Sequence, residues 1–186
     1  MLKDEHIMSQ VSQGDIRQSG VLFERYQTKM YNFYLHNTRD IELSKDLTQQ
    51  VFIKLIKYRK SYKNQNSFKS WLYKIATNLK HDHYRKEKAH ATRNELYSKN
   101  REELIDPNIN DEISERSVLL HKALNRLSKD YREVIWLTRF EKLRYVEVAQ
   151  ILETTESAIK VKVHSCLLYT SPSPRDRTRS RMPSSA

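Results

Sequence analysis

The sequence predicts an all-α protein built as two small helical domains joined by a flexible linker. Three observations carry this. Glycine and proline, the commonest helix breakers, total only 2 and 4 in 186 residues. Apolar residues return at three- and four-residue intervals through most of the chain, the period of a helix face. No stretch shows the strict alternation of a half-buried strand, and no internal repeat stands out.

Composition bounds the function. Lys and Arg number 34 against 23 Asp and Glu, a formal charge of +11 with a pI near 9.7. Such a balance points to a polyanionic partner, either nucleic acid or an anionic membrane surface. Hydrophobic residues make up 38%, enough for small helical cores. No apolar run approaches the roughly 18 residues of a membrane span. The opening MLKDEHIMSQ has no apolar secretory core, so a cytoplasmic location is expected. A single cysteine, Cys166, excludes an intrachain disulfide framework.

The first domain is expected over residues 1–90. Leu22, Phe23, Tyr26, Met30, Phe33 and Tyr34 define one amphipathic helix. Leu43, Leu47, Val51, Phe52, Leu55 and Ile56 define a second, over Ile41 to Tyr58. Its other side carries Asp46, Gln49, Gln50, Ile53 and Lys54. Ile53 beside paired glutamines is an odd choice for pure solvent and points to a protein partner. A third helix follows the polar loop SYKNQNSF. Its core residues are Phe68, Leu72, Ile75, Ala76 and Leu79, with Trp71 at the edge of the stripe in a packing role.

Lys69, Tyr73, Lys74, Asn78, Lys80, His81, Tyr84 and Arg85 are expected on the rest of that third helix. A merely solvated helix interleaves Glu with Lys at i,i+4. Here Asp82 is the only acid from Ser67 to Arg85, against Lys69, Lys74, Lys80, His81, His83 and Arg85. An uncompensated basic face with Tyr and Asn suits a nucleic-acid strand whose bases can stack or be captured. The amides of the preceding loop suit hydrogen bonding to an extruded base. His81 and His83 point about 200° apart on a helix, so no metal site is expected, and no cofactor.

The apolar period fades over residues 91–114, which are polar, acid-enriched and contain Pro107; this is the linker. The second domain is expected over residues 115–165. Leu120, Ala123, Leu124 and Leu127 form one stripe. Ser128 is placed to cap the next helix, with Tyr131, Val134, Ile135 and Leu137 to Phe140 behind it. From Arg144 to Ser165 the layout is that of a helix-turn-helix. Val148, Ala149, Ile151 and Leu152 bury its first helix. Glu153-Thr154 makes the turn, Thr155 caps the second helix, and Ile159 and Val163 anchor it. This leaves Ser157, Ala158, Lys160, Val161, His164 and Ser165 outward, with short side chains near the helix start able to approach base edges. Glu153 stands where such turns usually place Gly, so mild backbone strain is expected.

Residues 166–186 change character. Three of the four prolines, Pro172, Pro174 and Pro183, lie here. Cys166 to Asp176 can be back-translated into a transposase-type sequencing adapter, and Ser180 to Ala186 into its flow-cell end. The segment is therefore expected to be non-native, with the natural sequence replaced after about Ser165. Its Arg175, Arg177, Arg179 and Arg181 against Asp176 contribute +3, so the remaining chain keeps +8.

Taken in order, DLTQQVFIKL, FKSWLYKIATNLKHDHYRK, a linker and LSKDYREVIWLTRFEKLRYVEVAQILETTESAIKVKVHS resemble a bacterial extracytoplasmic-function sigma factor of the sigma-70 family. The resemblance covers nearly all of residues 10–165. It implies a domain like sigma region 2, a flexible linker and a helix-turn-helix domain like sigma region 4. It implies a protein that is not an enzyme. The implied partners are core RNA polymerase, through its β′ clamp helices and β flap, promoter DNA, and an anti-sigma factor. By position, Asp46, Gln49, Gln50 and Ile53 would face the polymerase; the family often has Glu at Gln50. Asn64, Gln65, Asn66 and Ser67 match the loop that captures a flipped −10 base. Lys74, Asn78, His81 and Arg85 would line the path of the non-template strand. Ser157, Ala158, Lys160, Val161, His164 and Ser165 match the −35 recognition helix, where the family usually has a small residue at Val161 and Arg or Lys at Ser165.

Two rivals differ in class. A stand-alone helix-turn-helix regulator of duplex DNA explains the second block but not the basic aromatic helix. A hydrolase or nuclease using His81, Asp82, His83 or His164 lacks a coherent triad or ligand set.

Overall fold

The computed structural model describes residues 2–63, 67–91, 124 and 127–170. Among these, seven α-helices account for nearly all regular structure: α1 (Asp4–Gln13), α2 (Ser19–Thr38), α3 (Ile41–Lys57), α4 (Phe68–Ala91), α5 (Lys129–Ile135), α6 (Tyr145–Ile151) and α7 (Glu156–Thr170). No strand occurs among the described residues. Leu120, Ala123, the linker from 92 to 114 and the tail from 171 lie outside them, as do Asn64, Gln65 and Asn66.

The first domain packs α1 to α4 around Met8, Leu22, Met30, Phe33, Val51, Leu55, Phe68 and Leu72, all fully buried. The expected stripes on α2 and α3 face this core, except that Phe23 is 39% exposed. It meets Phe52 edge-on, with centroids 4.8 Å apart. Asp40 caps α3, its carboxylate accepting from Leu43 N at 2.9 Å. Trp71 packs beside Tyr62, centroids 5.3 Å apart, in the role its edge position predicts.

Helix α1 was not predicted. Ile7, Met8 and Val11 bury one side of it, and Gly14 at φ 121° ends it in a conformation that favours glycine. Asp4 pairs with Arg25 and accepts from Tyr26 Oη at 2.6 Å. Glu5 Oε1 accepts from the backbone N–H of Phe68 at 3.2 Å, capping the open end of α4.

The second domain packs α5, α6 and α7 around Val134, Leu137, Val148, Ile151, Ile159 and Val163. A π-helical turn, Trp136–Phe140, continues α5. Ser128 sits at the N-cap of α5 with extended backbone, but its side chain makes no capping bond. Instead Arg132 Nη2 donates to Leu127 O at 3.0 Å and Arg132 Nη1 to His36 O at 3.1 Å, tying α5 to α2.

Two residues expected on the polar side of α4 are buried. Tyr73 is fully enclosed and meets Phe33 edge-on at 5.5 Å. Lys80 is 4% exposed. The reason is that α4 is covered twice, by α2 and α3 on one side and by the second domain on another. Its buried arc is wider than a single apolar stripe reveals.

Candidate polymerase and nucleic-acid interfaces

Helix α3 presents Asp46, Gln49, Gln50 and Ile53 at intervals of three, one and three residues, which sets them on one face. All four are exposed, Ile53 to 64%. Beside this face lies a groove of about 240 Å³ lined by Ser19, Gly20, Phe23, Phe52, Leu55 and Ile56. A polar stripe flanked by an apolar groove is the make-up of a protein-binding surface.

Helix α4 brings Lys74, Asn78, His81 and Arg85 onto one line. Asn78, His81 and Arg85 are exposed and Lys74 half-buried. Ser67 lies just before the helix, and its Oγ accepts a long bond of 3.4 Å from Ser70 N. The base-capturing amides expected at Asn64, Gln65 and Asn66 fall outside the described residues.

Acids from the second domain meet this line. Lys74 Nζ lies 2.7 Å from Glu153 Oε1 and donates to Ile151 O at 2.9 Å. Lys80 Nζ lies 2.6 Å from Glu133 Oε2, with both side chains 5% exposed. His81 Nε2 is 3.6 Å from the same carboxylate, and Thr77 donates to it at 3.3 Å. Lys69 pairs with Glu141 at 3.0 Å, and Ser70 donates to Glu147 at 2.9 Å. Burial pushes the Glu133 carboxyl up, but the bonds from His81 and Lys80 outweigh it and hold it below the ordinary range. Burial lowers Lys80, and the Glu133 charge only partly offsets this. Glu153 is held below its ordinary range by its bond to Lys74 and that charge.

Lys80 and Glu133 were missed as interacting residues. The sequence holds no local signal for them, because they are 53 positions apart and meet only through the docking of the two domains.

Helix α7 exposes Ser157, Lys160, Val161 and His164, with Ala158 and Ser165 half-buried, as the pattern predicts. Thr155 caps it, accepting from Ala158 N at 3.2 Å. Glu153 adopts φ 53°, the left-handed conformation expected where Gly is absent. Val161 is 64% exposed, an apolar contact on an otherwise polar helix. Lys160 is paired with Glu156 at 2.8 Å. Among the described residues no cluster of His, Cys, Asp and Glu could hold a metal, and no helix is long and apolar enough to cross a membrane.

The pairing of a four-helix domain with a helix-turn-helix is the layout of a two-part DNA-binding protein. Comparisons with known proteins specify it further. Residues 22–90 match sigma-70 region 2 and residues 117–165 match sigma-70 region 4. The RNA polymerase sigma-H factor of Pseudomonas aeruginosa is 24% identical over 170 residues, spanning 87% of this chain and 88% of its own. The sigma factor SigM of Bacillus subtilis is 28% identical over 141 residues, spanning 75% and 84%. Among solved structures, the Bartonella quintana sigma factor RpoE, in complex with the anti-sigma factor NepR, has a TM-score of 0.67 at 22% identity, covering 85% of this chain and 99% of that one. CnrH in complex with the cytosolic domain of CnrY has a TM-score of 0.64 at 18% identity, covering 89% and 92%. The chain belongs to the sigma-70 family, in its extracytoplasmic-function branch. It is a sigma factor that directs RNA polymerase to promoters.

Proposed function

We propose how this sigma factor divides its work among its surfaces. The α3 face of Asp46, Gln49, Gln50 and Ile53 docks on the β′ clamp helices of core polymerase, and the second domain meets the β flap. The α7 face of Ser157, Ala158, Lys160, Val161, His164 and Ser165 enters the −35 major groove, where phosphate contacts fix its register. The first domain holds melted −10 DNA. Asn64, Gln65, Asn66 and Ser67 take up a flipped base, which compensates part of the unstacking cost. Lys74, Asn78, His81 and Arg85 guide the non-template strand. Two weak contacts on one tether, together with the polymerase, supply an avidity that neither domain has alone.

The observation that carries this reading is the arrangement of three separate polar faces, on α3, α4 and α7, each at helical spacing. The protein works in the cytoplasm, where polymerase and chromosome are. An anti-sigma factor regulates it, by analogy with the complexes of RpoE and CnrH. In vitro transcription with core polymerase over a promoter library tests the whole. Promoter-dependent transcripts are expected, and their absence would sink the reading.

A further inference from the structure

Helix α7 carries one side chain that its own fold does not explain. Val161 is 64% exposed, while Ile159 and Val163, two positions to either side, are buried and anchor the helix to the second domain. Residues two apart on a helix point about 200° apart, so Val161 stands on the crest, directed away from the core. Neither packing nor helix propensity favours valine there. An exposed β-branched residue buries nothing and loses rotamer freedom against the preceding turn. Its neighbours suit close approach to a surface. Ser157 and Ala158, one turn earlier, are short. Lys160 is held along the helix by Glu156 at 2.8 Å, and Lys162 is half-buried. The restricted χ1 of valine fixes its methyl groups in place, so little freedom is lost when a partner covers them.

We infer that Val161 reads the 5-methyl group of a thymine in the −35 element. The inference rests on the reading of α7 as the major-groove helix and names the base that one of its residues selects. Of the groups that the bases show in the major groove, only the thymine methyl is apolar. The valine side chain has no donor or acceptor. Set against guanine O6 and N7, adenine N6 and N7 or cytosine N4, it would strip water from polar groups and return no bond. Set against the methyl, it removes apolar surface of both partners from water. One side chain thus favours thymine and disfavours its competitors. Hydrogen bonding to neighbouring bases and phosphates falls to Ser157, Lys160 and His164, all exposed around it.

The test removes the methyl from the DNA and leaves the protein intact. Holoenzyme is assembled from the full chain and core polymerase. Its affinity for a duplex promoter fragment recovered from the transcription library is measured by fluorescence anisotropy. Each thymine of the −35 element, on either strand, is replaced in turn by deoxyuridine, which differs only in lacking the methyl. One replacement is expected to weaken binding roughly fourfold, the loss that one buried methyl-sized group carries. Val161→Ala is expected to bind the unmodified promoter less tightly and to lose no more at that deoxyuridine. His164→Ala is expected to weaken binding to both promoters and to keep the fourfold difference between them. Circular dichroism should show unchanged helix content in both variants. If no deoxyuridine weakens binding, or if the same one weakens Val161→Ala equally, Val161 reads no methyl and is an ordinary exposed side chain. Scrambling the −35 element judges the underlying reading separately. If holoenzyme affinity survives that change, α7 is not the recognition helix and the inference falls with it. A −35 contact that depends on sequence but ignores the methyl overturns the inference alone.

Discussion

Thr155 is a small residue with a separable role. Its Oγ accepts from Ala158 N, so Thr155→Ala should cost about 1 kcal/mol of second-domain stability. A denaturant melt of the chain should show the loss in the second domain while the first is unmoved. Glu153, two positions earlier, carries two opposed duties. It holds a left-handed backbone that costs a non-glycine residue ~1 kcal/mol, and it pairs with Lys74. Glu153→Gly should therefore raise the melting midpoint of the second domain and weaken its grip on α4 at once. On the same variant the melting midpoint should rise while the interdomain distance lengthens. Lys80 and Glu133 form the costliest pair to break. Lys80→Met strips a buried carboxylate of its closest cation and leaves it only Thr77 and the longer His81 contact, a loss of up to about 3–5 kcal/mol when nothing relaxes. Because opening of the domains returns Glu133 to water, the loss should appear as separation of the domains rather than unfolding. Lys80→Met/Glu133→Leu should restore much of the docked arrangement.

At the scale of elements, α4 is the helix on which the molecule turns. Its core side was legible from spacing alone: Phe68, Leu72, Ala76 and Leu79 are all buried. Leu72→Ala should destabilise the first domain by roughly 2–5 kcal/mol, visible as a lower midpoint in thermal melting. Asn78→Ala/Arg85→Ala should leave that midpoint unchanged and reduce transcripts in the polymerase assay. The same pattern could not reveal Tyr73 and Lys80 as buried. Spacing reports the side of a helix that meets its own domain, and both of these residues owe part of their burial to packing beyond the main stripe. Helix α1 leaves little trace in the sequence for a different reason. Ile7, Met8 and Val11 give only one turn of apolar period, too short to separate from chance. The helix-turn-helix was legible in detail, down to the left-handed backbone at Glu153, because its turn geometry and cap are set by local chemistry.

For the whole molecule, the sequence showed two helical blocks and a basic surplus but not how acids of one block answer cations of the other. Such complementarity is long-range, and periodicity carries no trace of it. It does carry a pH signature. Glu133 and Glu153 sit below the ordinary carboxylate value of 4.5 in the docked arrangement. Their contribution to docking is full above that value and is lost as pH falls through their depressed values. Interdomain separation should therefore increase on acidification below about pH 4.5, reversibly and ahead of the loss of helix content seen by circular dichroism. Raising ionic strength should loosen the exposed part of the contact as well, since screening acts first on pairs such as Lys74–Glu153.

The bond from Phe68 N to Glu5 has a practical bearing on how the protein can be cut into pieces. Similarity to sigma-70 region 2 begins at Leu22, which invites a fragment starting there. Such a fragment would discard Ile7, Met8 and Val11 from the core and leave the first turn of α4 without its acidic cap. Arg25 and Tyr26 would lose Asp4 as well. A fragment meant to study DNA capture in isolation should instead keep the first twenty-one residues, for they brace the helix that would do the capturing.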